Sequence, residues 1–378
     1  MTDVTPSTPE IRIHDAELVA LRLFDIAYGI DLARVEAIWL QHTGVAAPRS
    51  LLTGAPAKSV AFDVPPLLLP LAPLSLLIAG RTVTARATAR IYEFGATVLA
   101  LRITVQDVPW PEFATQFNQF DQAVGPAAAT SVFTDLLATV VAVLAPALHR
   151  PSQGSPSEDY LFAQVRRFAV PLTAAQLLEQ ADWQALLTAE KRPLSQVVRR
   201  DLTRHAYSYF TDDLVVLTWD RAFIYEPRGD ADVADVIEVA NAQLLELRYY
   251  GALLDDELPR MYDRVEAAHR AVELLVPRRF AHLARGLYTL VAEMTELTEK
   301  VDNALTVTED IYLARVYSAA LELFRVREVG AAVDRKLAII RDTYTALYDE
   351  ASSRRAEMLE WTIILLIAFE IVLSLLRA

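Results

Sequence analysis

The chain has no cysteine among its 378 residues. A protein without cysteine has no disulfide framework, no thiolate nucleophile and no thiolate-ligated metal. The GxSxG, HExxH, Walker A and GxGxxG motifs are also missing, and the six histidines are scattered without a spacing that would pair two of them on one helix. The sequence therefore predicts a protein that is not an enzyme and that carries no cofactor and no metal.

The chain also has fewer basic than acidic residues. The formal net charge is −13, whereas nucleic-acid binders need clustered Lys and Arg for phosphate contacts. Nucleic acid is therefore an unlikely partner on composition alone. One local basic cluster, Arg199, Arg200 and Arg204, offers a weak candidate for RNA contact, and a salt-bridged surface is the alternative interpretation.

The first 230 residues have the pattern of an α/β region. Residues 81–92 alternate strictly between apolar and polar, which predicts a half-buried strand, and residues 97–105 form a second strand that pairs with it in an antiparallel hairpin near Gly95. Asp31 is the expected N-cap of a short helix that runs through Gln41. After a linker at 149–158, a similar order of strand, helix and strands recurs, with the helix at 174–190. We therefore predict a disordered tail at 1–10, a first α/β module at 11–148 and a second, related module at 159–230.

From residue 231 the apolar period changes to the alternating three and four of packed helices. A first stripe runs from Ile237 to Leu258, with Gly251 permitting a close crossing, and a last stripe runs from Val333 to Ala351. The sequence predicts an α+β fold in which the α/β region precedes a coiled-coil-like region at 231–358 and an apolar helix at 359–376. No Pro or Gly interrupts 333–377, so one long helix is expected to enter the apolar segment.

The apolar segment, residues 359–376, reads LEWTIILLIAFEIVLSLL. Its length is about 27 Å as a helix, close to the roughly 30 Å hydrocarbon core of a bilayer. Trp361 is placed as an interfacial anchor, Glu360 and Arg377 flank the run, and Glu370 is an intramembrane acid expected to meet another helix. The alternative is a buried C-terminal helix that closes an oligomer.

A polar cluster lies near the start of the helical region. The candidate contact residues for an oligomer or partner are Asn241, Gln243, Glu246, Arg248 and Tyr250, together with Leu337 and Tyr344 on the last helix. Gln243, Glu246 and Tyr250 share one face of a helix. A buried polar network that locks this helix to the α/β region is the other interpretation.

Four segments carry a family resemblance. They are residues 91–98 (IYEFGATV), 240–250 (ANAQLLELRYY), 336–337 within the last helix, and 359–367 (LEWTIILLI) with Glu370. In these segments the chain resembles the required-for-meiotic-nuclear-division family, a widespread domain of unknown function. The resemblance implies a membrane-attached, non-enzymatic protein that self-associates, similar to mitochondrial inner-membrane members that support translation.

These observations together predict a tail-anchored, homo-oligomeric membrane scaffold. The lipid bilayer, further copies of the chain and an unknown protein are its expected partners. A single C-terminal span would leave the bulk of the chain on the cytoplasmic side, at the inner membrane of a bacterium. Two alternatives remain: a soluble coiled-coil oligomer with the C-terminal helix buried, and a membrane-proximal, ribosome-associated translation-support factor.

Overall fold

The structure is a computed structural model that describes residues 10–49, 64–152, 156–190, 192–269, 288–289, 291–292, 295 and 311–377. The predicted disordered tail and part of the predicted helical region, including 270–287, lie outside these residues. The chain divides into two compact units, one formed by residues 1–246 with 300–327 and the other by 247–299 with 328–378. Each unit is described by itself below.

A nine-stranded sheet forms the first unit, with strand order β3-β5-β6-β1-β8-β11-β10-β9 and β4 beside β5. The strands of this sheet are β1 (Arg12–Asp25), β3 (Leu67–Pro70), β4 (Leu74–Ile78), β5 (Arg81–Ile91), β6 (Ala96–Pro109), β8 (Ser157–Phe168), β9 (Ala206–Tyr207), β10 (Leu214–Leu217) and β11 (Arg221–Tyr225). All neighbours are antiparallel except β8 and β11.

The predicted hairpin is confirmed. Strands β5 and β6 pair in antiparallel register from Arg86 opposite Arg102 to Ile91 opposite Thr97. Gly95 makes the turn possible, because its φ is +114° and an added Cβ would lie 1.8 Å from the Ala27 carbonyl oxygen. Only glycine therefore fits where this turn meets the backbone at Ala27.

The central strand β1 pairs with β6 on one side and β8 on the other. Strands from both predicted α/β modules thus lie in one sheet. The segment expected to be a linker, 149–158, contains most of β7 (Leu148–Pro151), which pairs with β2 (Ala27–Ile30), and the first residues of β8. Its Pro and Ser content resembles a loop, but His149 and Pro151 pair with β2.

Among the described residues, six α-helices precede residue 232 in the chain. They are α1 (Leu32–Thr43), α2 (Trp110–Val124), α3 (Val132–Leu144), α4 (Ala174–Gln180), α5 (Trp183–Leu187) and α6 (Gln196–Leu202). Asp31 caps α1 as expected, since its carboxylate accepts a hydrogen bond from the Arg34 amide. The single helix predicted over 174–190 is instead split into α4 and α5, because Asp182 begins a new helix by accepting from two amides.

One face of the sheet is apolar. Phe113, Phe117 and Phe120 recur on one side of α2 and are fully buried in the main hydrophobic core, which also includes Leu18 and Leu101 from the sheet. The next residues along the same strands face the opposite way, and this second face carries Glu17, Arg90 and Arg102.

Helix α7 (Asp232–His269) begins in the first unit and continues into the second, and the last two helices are α8 (Ile311–Leu323) and α9 (Val326–Arg377). In the second unit, Lys336 of α9 donates to the Gly251 carbonyl of α7 at 3.1 Å, and Gly251 would place a Cβ 3.9 Å from Val333. Gly251 therefore lies at a close helix crossing, as predicted. Buried residues recur every seven positions on α9, at Val333, Ile340 and Leu347.

These elements confirm the coarse fold class, a sheet-containing N-terminal region followed by helices. The membrane assignment is wrong. Of the helices in the part of the chain that the structure describes, not one combines enough length with enough apolar character to cross a bilayer. The apolar segment reaches only about 27 Å and has Glu370 in its interior. Three predictions are therefore wrong: the transmembrane helix at 359–376, the tail-anchored scaffold, and the location at a membrane with a cytoplasmic head.

Candidate functional site

A charged cavity lies on the second face of the sheet. It encloses about 160 Å³ and is bounded by strands β1, β5, β6, β8 and β11, by the connection after β11 and by the first turns of α7. The charged side chains in its lining are Glu17, Arg90, Arg102, Arg166, Glu226, Asp230, Asp235 and Glu238. Polar groups from several elements around one small cavity are typical of a ligand site.

The inner end of the charged cavity is built around Arg90. Its Nη1 lies 2.8 Å from Asp235 Oδ1 and 3.0 Å from Glu238 Oε1, and the Tyr92 hydroxyl donates to Glu238 at 2.9 Å. Burial lowers the pKa of Arg90, but the two carboxylates outweigh it and hold that pKa well above the ordinary value. Arg90 therefore stays charged and connects β5 to α7.

Burial also governs the neighbouring groups. It raises the pKa of the Glu238 carboxyl, while Arg90 acts in the opposite direction. The same desolvation raises the pKa of the Tyr92 hydroxyl well above its ordinary value, so this group donates to Glu238 as a neutral phenol. One guanidinium thus contacts two carboxylates in a setting with little access to water.

Arg102 is held less tightly than Arg90. Its Nη1 donates to Thr88 at 2.7 Å, its Nε lies 3.8 Å from Glu17, and a quarter of its side chain is exposed. Burial lowers the pKa of Arg102, with Glu17 opposing this effect. Glu17 also pairs with Arg86. Arg102 therefore retains donor capacity toward the cavity.

The outer end of the charged cavity is formed by the connection between β11 and α7. Glu226 accepts a hydrogen bond from the Arg228 amide, and Asp230 accepts one from the Asp232 amide. Burial raises the pKa of Glu226, and the nearby Asp213 and Asp230 carboxylates raise it further. Arg166 passes beside Gly229, with its Nε 3.9 Å from the position of an added Cβ. No metal-binding group of three or more His, Asp or Glu side chains occurs among the described residues.

The apolar segment of α9 is a second candidate site. Its twelve described Leu, Ile, Val, Phe and Trp side chains are between 52% and 80% exposed. The five consecutive residues 363–367 are all apolar. At about 100° per residue they occupy all sides of the helix. Trp361 is 67% exposed, Glu360 and Glu370 are exposed, and Arg377 is the last residue of α9. Exposed apolar surface of this extent on a monomer indicates a site of association.

The predicted contact residues are distributed over interior and surface. Asn241 is buried and donates to the Asp159 carbonyl at 3.3 Å, and Gln243 accepts from the Tyr317 hydroxyl at 2.9 Å. Glu246 and Tyr250 are also buried, Arg248 is exposed, and Leu337 and Tyr344 are half-buried. Gln243 is half-buried, and the contacts of Asn241 and Gln243 favour the interpretation as a polar network that attaches α7 to the sheet and to α8.

The basic cluster proposed for RNA contact lies on the surface. Arg199 and Arg200 are exposed in the last turn of α6, and Arg204 is exposed just after it. Tyr207, three residues after Arg204, lies under the guanidinium of Arg315 at 5.5 Å. The structure thus leaves these arginines accessible, and RNA contact stays a prediction.

Sequence reasoning missed the charged cavity. Its Arg90 and Arg102 belong to an alternating pattern that is equally typical of a solvent-facing strand surface. A signal was nevertheless present on α7, where Asp232, Asp235, Glu238 and Asn241 recur at a spacing of three, so each is a neighbour of the next in a polar stripe that winds around the helix. When a helix has both an apolar and a polar stripe, the polar stripe can contact another element of the same chain, as it does here with β5.

The fold and cavity define a class: a mixed α/β protein with a largely antiparallel sheet that has an aromatic core on one face and a buried ion-pair cluster on the other. The chain belongs to the family described as the N-terminal domain of uncharacterized protein MJ0711, whose model matches residues 15–232. This match includes the sheet and most residues of the charged cavity.

Uncharacterized protein MJ0711 of Methanocaldococcus jannaschii is 28% identical to the chain over 176 residues, which cover 46% of the chain and 53% of that protein. The chain therefore spans about half the length of this curated relative. No solved structure matches the chain. Three of the four segments behind the resemblance to the required-for-meiotic-nuclear-division family follow residue 232, beyond the family match, and that resemblance stays a prediction.

Proposed function

We propose that the protein is a non-catalytic, self-associating protein whose copies assemble through the apolar segment of α9. The observation that carries this proposal is the exposure of apolar side chains on all sides of that helix. A helix that is apolar all round needs neighbours all round. Full burial of one Leu, Ile or Phe side chain contributes about 1.5–3 kcal/mol, so covering this segment would stabilise an assembly strongly.

Further copies of the chain are the proposed neighbours. The seven-residue recurrence of buried positions on α9, from Val333 to Leu347, leads along the same helix toward the apolar segment, as in a coiled coil. A two-stranded coiled coil would cover only one stripe of each helix. The residues on the remaining sides therefore favour three or more copies, arranged as a helical bundle with the apolar segments at its centre.

Sedimentation equilibrium of the full chain over a range of concentrations tests this proposal. Replacing Ile364 and Ile367 together by Lys places two charges on one face of the segment and should shift the protein toward monomer. Ile339→Lys is the matched control, because Ile339 is an exposed apolar residue of the same helix outside the apolar segment. A monomeric wild-type chain, or an equal effect of the control, would contradict self-association through this segment.

A further inference from the structure

The charged cavity has two ends of different character. At the inner end, the carboxylates of Asp235, Glu238 and Glu17 are engaged by Arg90, Tyr92, Arg86 and Arg102 within the protein. Arg102 donates a hydrogen bond to the Thr88 hydroxyl and lies 3.8 Å from Glu17, so most of its five N–H donors remain available, and part of its side chain is exposed. Hydrogen-bond donors are thus in excess at this end, and a guanidinium with spare donors is suited to a carboxylate.

At the outer end acceptors are in excess. Glu226 and Asp230 come from one short connection and face the cavity together with a single arginine, Arg166. Each of the two carboxylates accepts one backbone amide, which leaves further lone pairs on both. A protonated amine supplies the donors and the positive charge that this end lacks.

The separation and size of the two ends restrict the ligand. Arg102 is on β6 and Arg166 on β8, the two strands that flank β1. Neighbouring strands lie about 4.8 Å apart, so these two strands are about 10 Å apart. The register, with Arg102 opposite Val19 and Val19 opposite Phe162, places Arg166 about 13 Å further along β8, so the ends are separated along the strands as well as across them. A volume of about 160 Å³ is close to that of a cavity that holds benzene, about 150 Å³. The space admits a small, linear molecule and excludes a nucleotide.

We infer that the charged cavity binds a small linear zwitterion, with its carboxylate at Arg102 and its amine between Glu226 and Asp230. Arg90 is a positioning residue in this site, since both of its charge partners belong to α7 and its task is to hold that helix over the cavity. The inference concerns the sheet and stands independently of self-association through α9.

Calorimetric titration of the full chain with three matched probes tests the inference. The probes are 5-aminopentanoate, which has both charged ends, pentanoate, which has only the carboxylate, and pentylamine, which has only the amine. We expect the zwitterion to bind at least about tenfold more tightly than either single-ended probe, since a charge-assisted hydrogen bond contributes about that factor or more.

Two variants test which end of the charged cavity binds the amine and which binds the carboxylate. Glu226→Gln should weaken binding of 5-aminopentanoate about tenfold and leave pentanoate unaffected, whereas Arg102→Gln should weaken both. Arg167→Gln and Glu112→Gln are the controls, because both residues are exposed and lie outside the cavity lining. Failure of the zwitterion to bind at millimolar concentration, equal binding of all three probes, or equal losses in the controls would overturn the inference. Glu226→Gln decides alone if Arg102→Gln does not fold.

Discussion

Arg90 of β5 and Glu238 of α7 form a buried ion pair, with 3.0 Å between Arg90 Nη1 and Glu238 Oε1. The same Nη1 lies 2.8 Å from Asp235, one turn earlier on the helix. These contacts join β5, which lies next to the edge of the sheet, to a helix that follows this strand by more than a hundred residues in the chain. The ion pairs therefore determine how α7 covers the second face of the sheet.

Replacing Arg90 by Met should destabilise the protein severely. The substitution removes one guanidinium and leaves two buried carboxylates, Asp235 and Glu238, without their counter-charge. Loss of one partner of a buried pair costs about 3–5 kcal/mol. Urea denaturation followed by circular dichroism measures this free energy of unfolding.

Arg49→Met is the matched control for this prediction. Arg49 pairs with Glu36 at 3.5 Å, but both side chains are more than a third exposed. Solvent screens such a pair, so its loss should cost less than about 1 kcal/mol. Equal losses for Arg90→Met and Arg49→Met would show that the Arg90 cluster does not stabilise the fold.

Local patterns were sufficient to predict much of the sheet. The alternation over 81–92 identified β5 and its two faces, Gly95 identified the turn, and Asp31 identified the start of α1. In each case the signal lies within a few residues of the structure that it specifies. The pairing of β1 with both β6 and β8, and the parallel pairing of β8 with β11, depend on distant segments and have no comparable local signal.

Local sequence patterns are equally insufficient to predict the charged cavity. Alternation at Arg90 predicts that its side chain lies opposite the core face, but not whether that second face is open to water or covered. The structure has Arg86 exposed and Arg90 buried on the same face of the same strand, because α7 covers only one of them. A residue's partner in another element decides its role, and a single sequence does not identify that partner.

Asp25 should make stability depend on pH. Burial raises the pKa of its carboxyl from 3.8 to about 6, although the Ser152 hydroxyl donates to it at 2.6 Å and opposes this shift. A raised pKa in the folded state means that the associated stability is fully present below pH 3.8 and is lost as the pH rises through about 6. A shift of about 2 units corresponds to about 3 kcal/mol.

Unfolding free energies measured between pH 4 and pH 7 test this prediction. Asp25→Asn keeps an acceptor for Ser152 but has no titrating group, so the loss of stability over this range should become smaller by up to about 3 kcal/mol. Ser152→Ala should extend the loss to higher pH, because it removes a hydrogen bond that favours the carboxylate. An Asp25→Asn variant with the wild-type pH dependence would contradict the assignment.

Gly95→Ala should be among the most damaging single-methyl additions. Its φ of +114° is unfavourable for an L side chain, and the new Cβ would overlap the backbone at Ala27. Strain and overpacking each cost about 1–3 kcal/mol, so a loss of about 3 kcal/mol or more is expected. Gly44→Ala is the control, since Gly44 also has positive φ, +71°, but no atom lies within 4 Å of the added Cβ. A loss for Gly95→Ala no greater than that for Gly44→Ala would refute the steric argument.

Glu370 should limit the stability of the proposed assembly. In the single chain its side chain is exposed within the apolar segment, between Phe369 and Ile371. If copies pack around this segment, the carboxylate must leave water, which costs free energy unless it is fully hydrogen-bonded. Glu370→Leu should therefore lower the dissociation constant of self-association at least about tenfold, measured by sedimentation equilibrium. Glu360→Leu is the control, because Glu360 lies at the start of the segment and should affect association less. Unchanged association in Glu370→Leu would show that this part of α9 does not enter the interface.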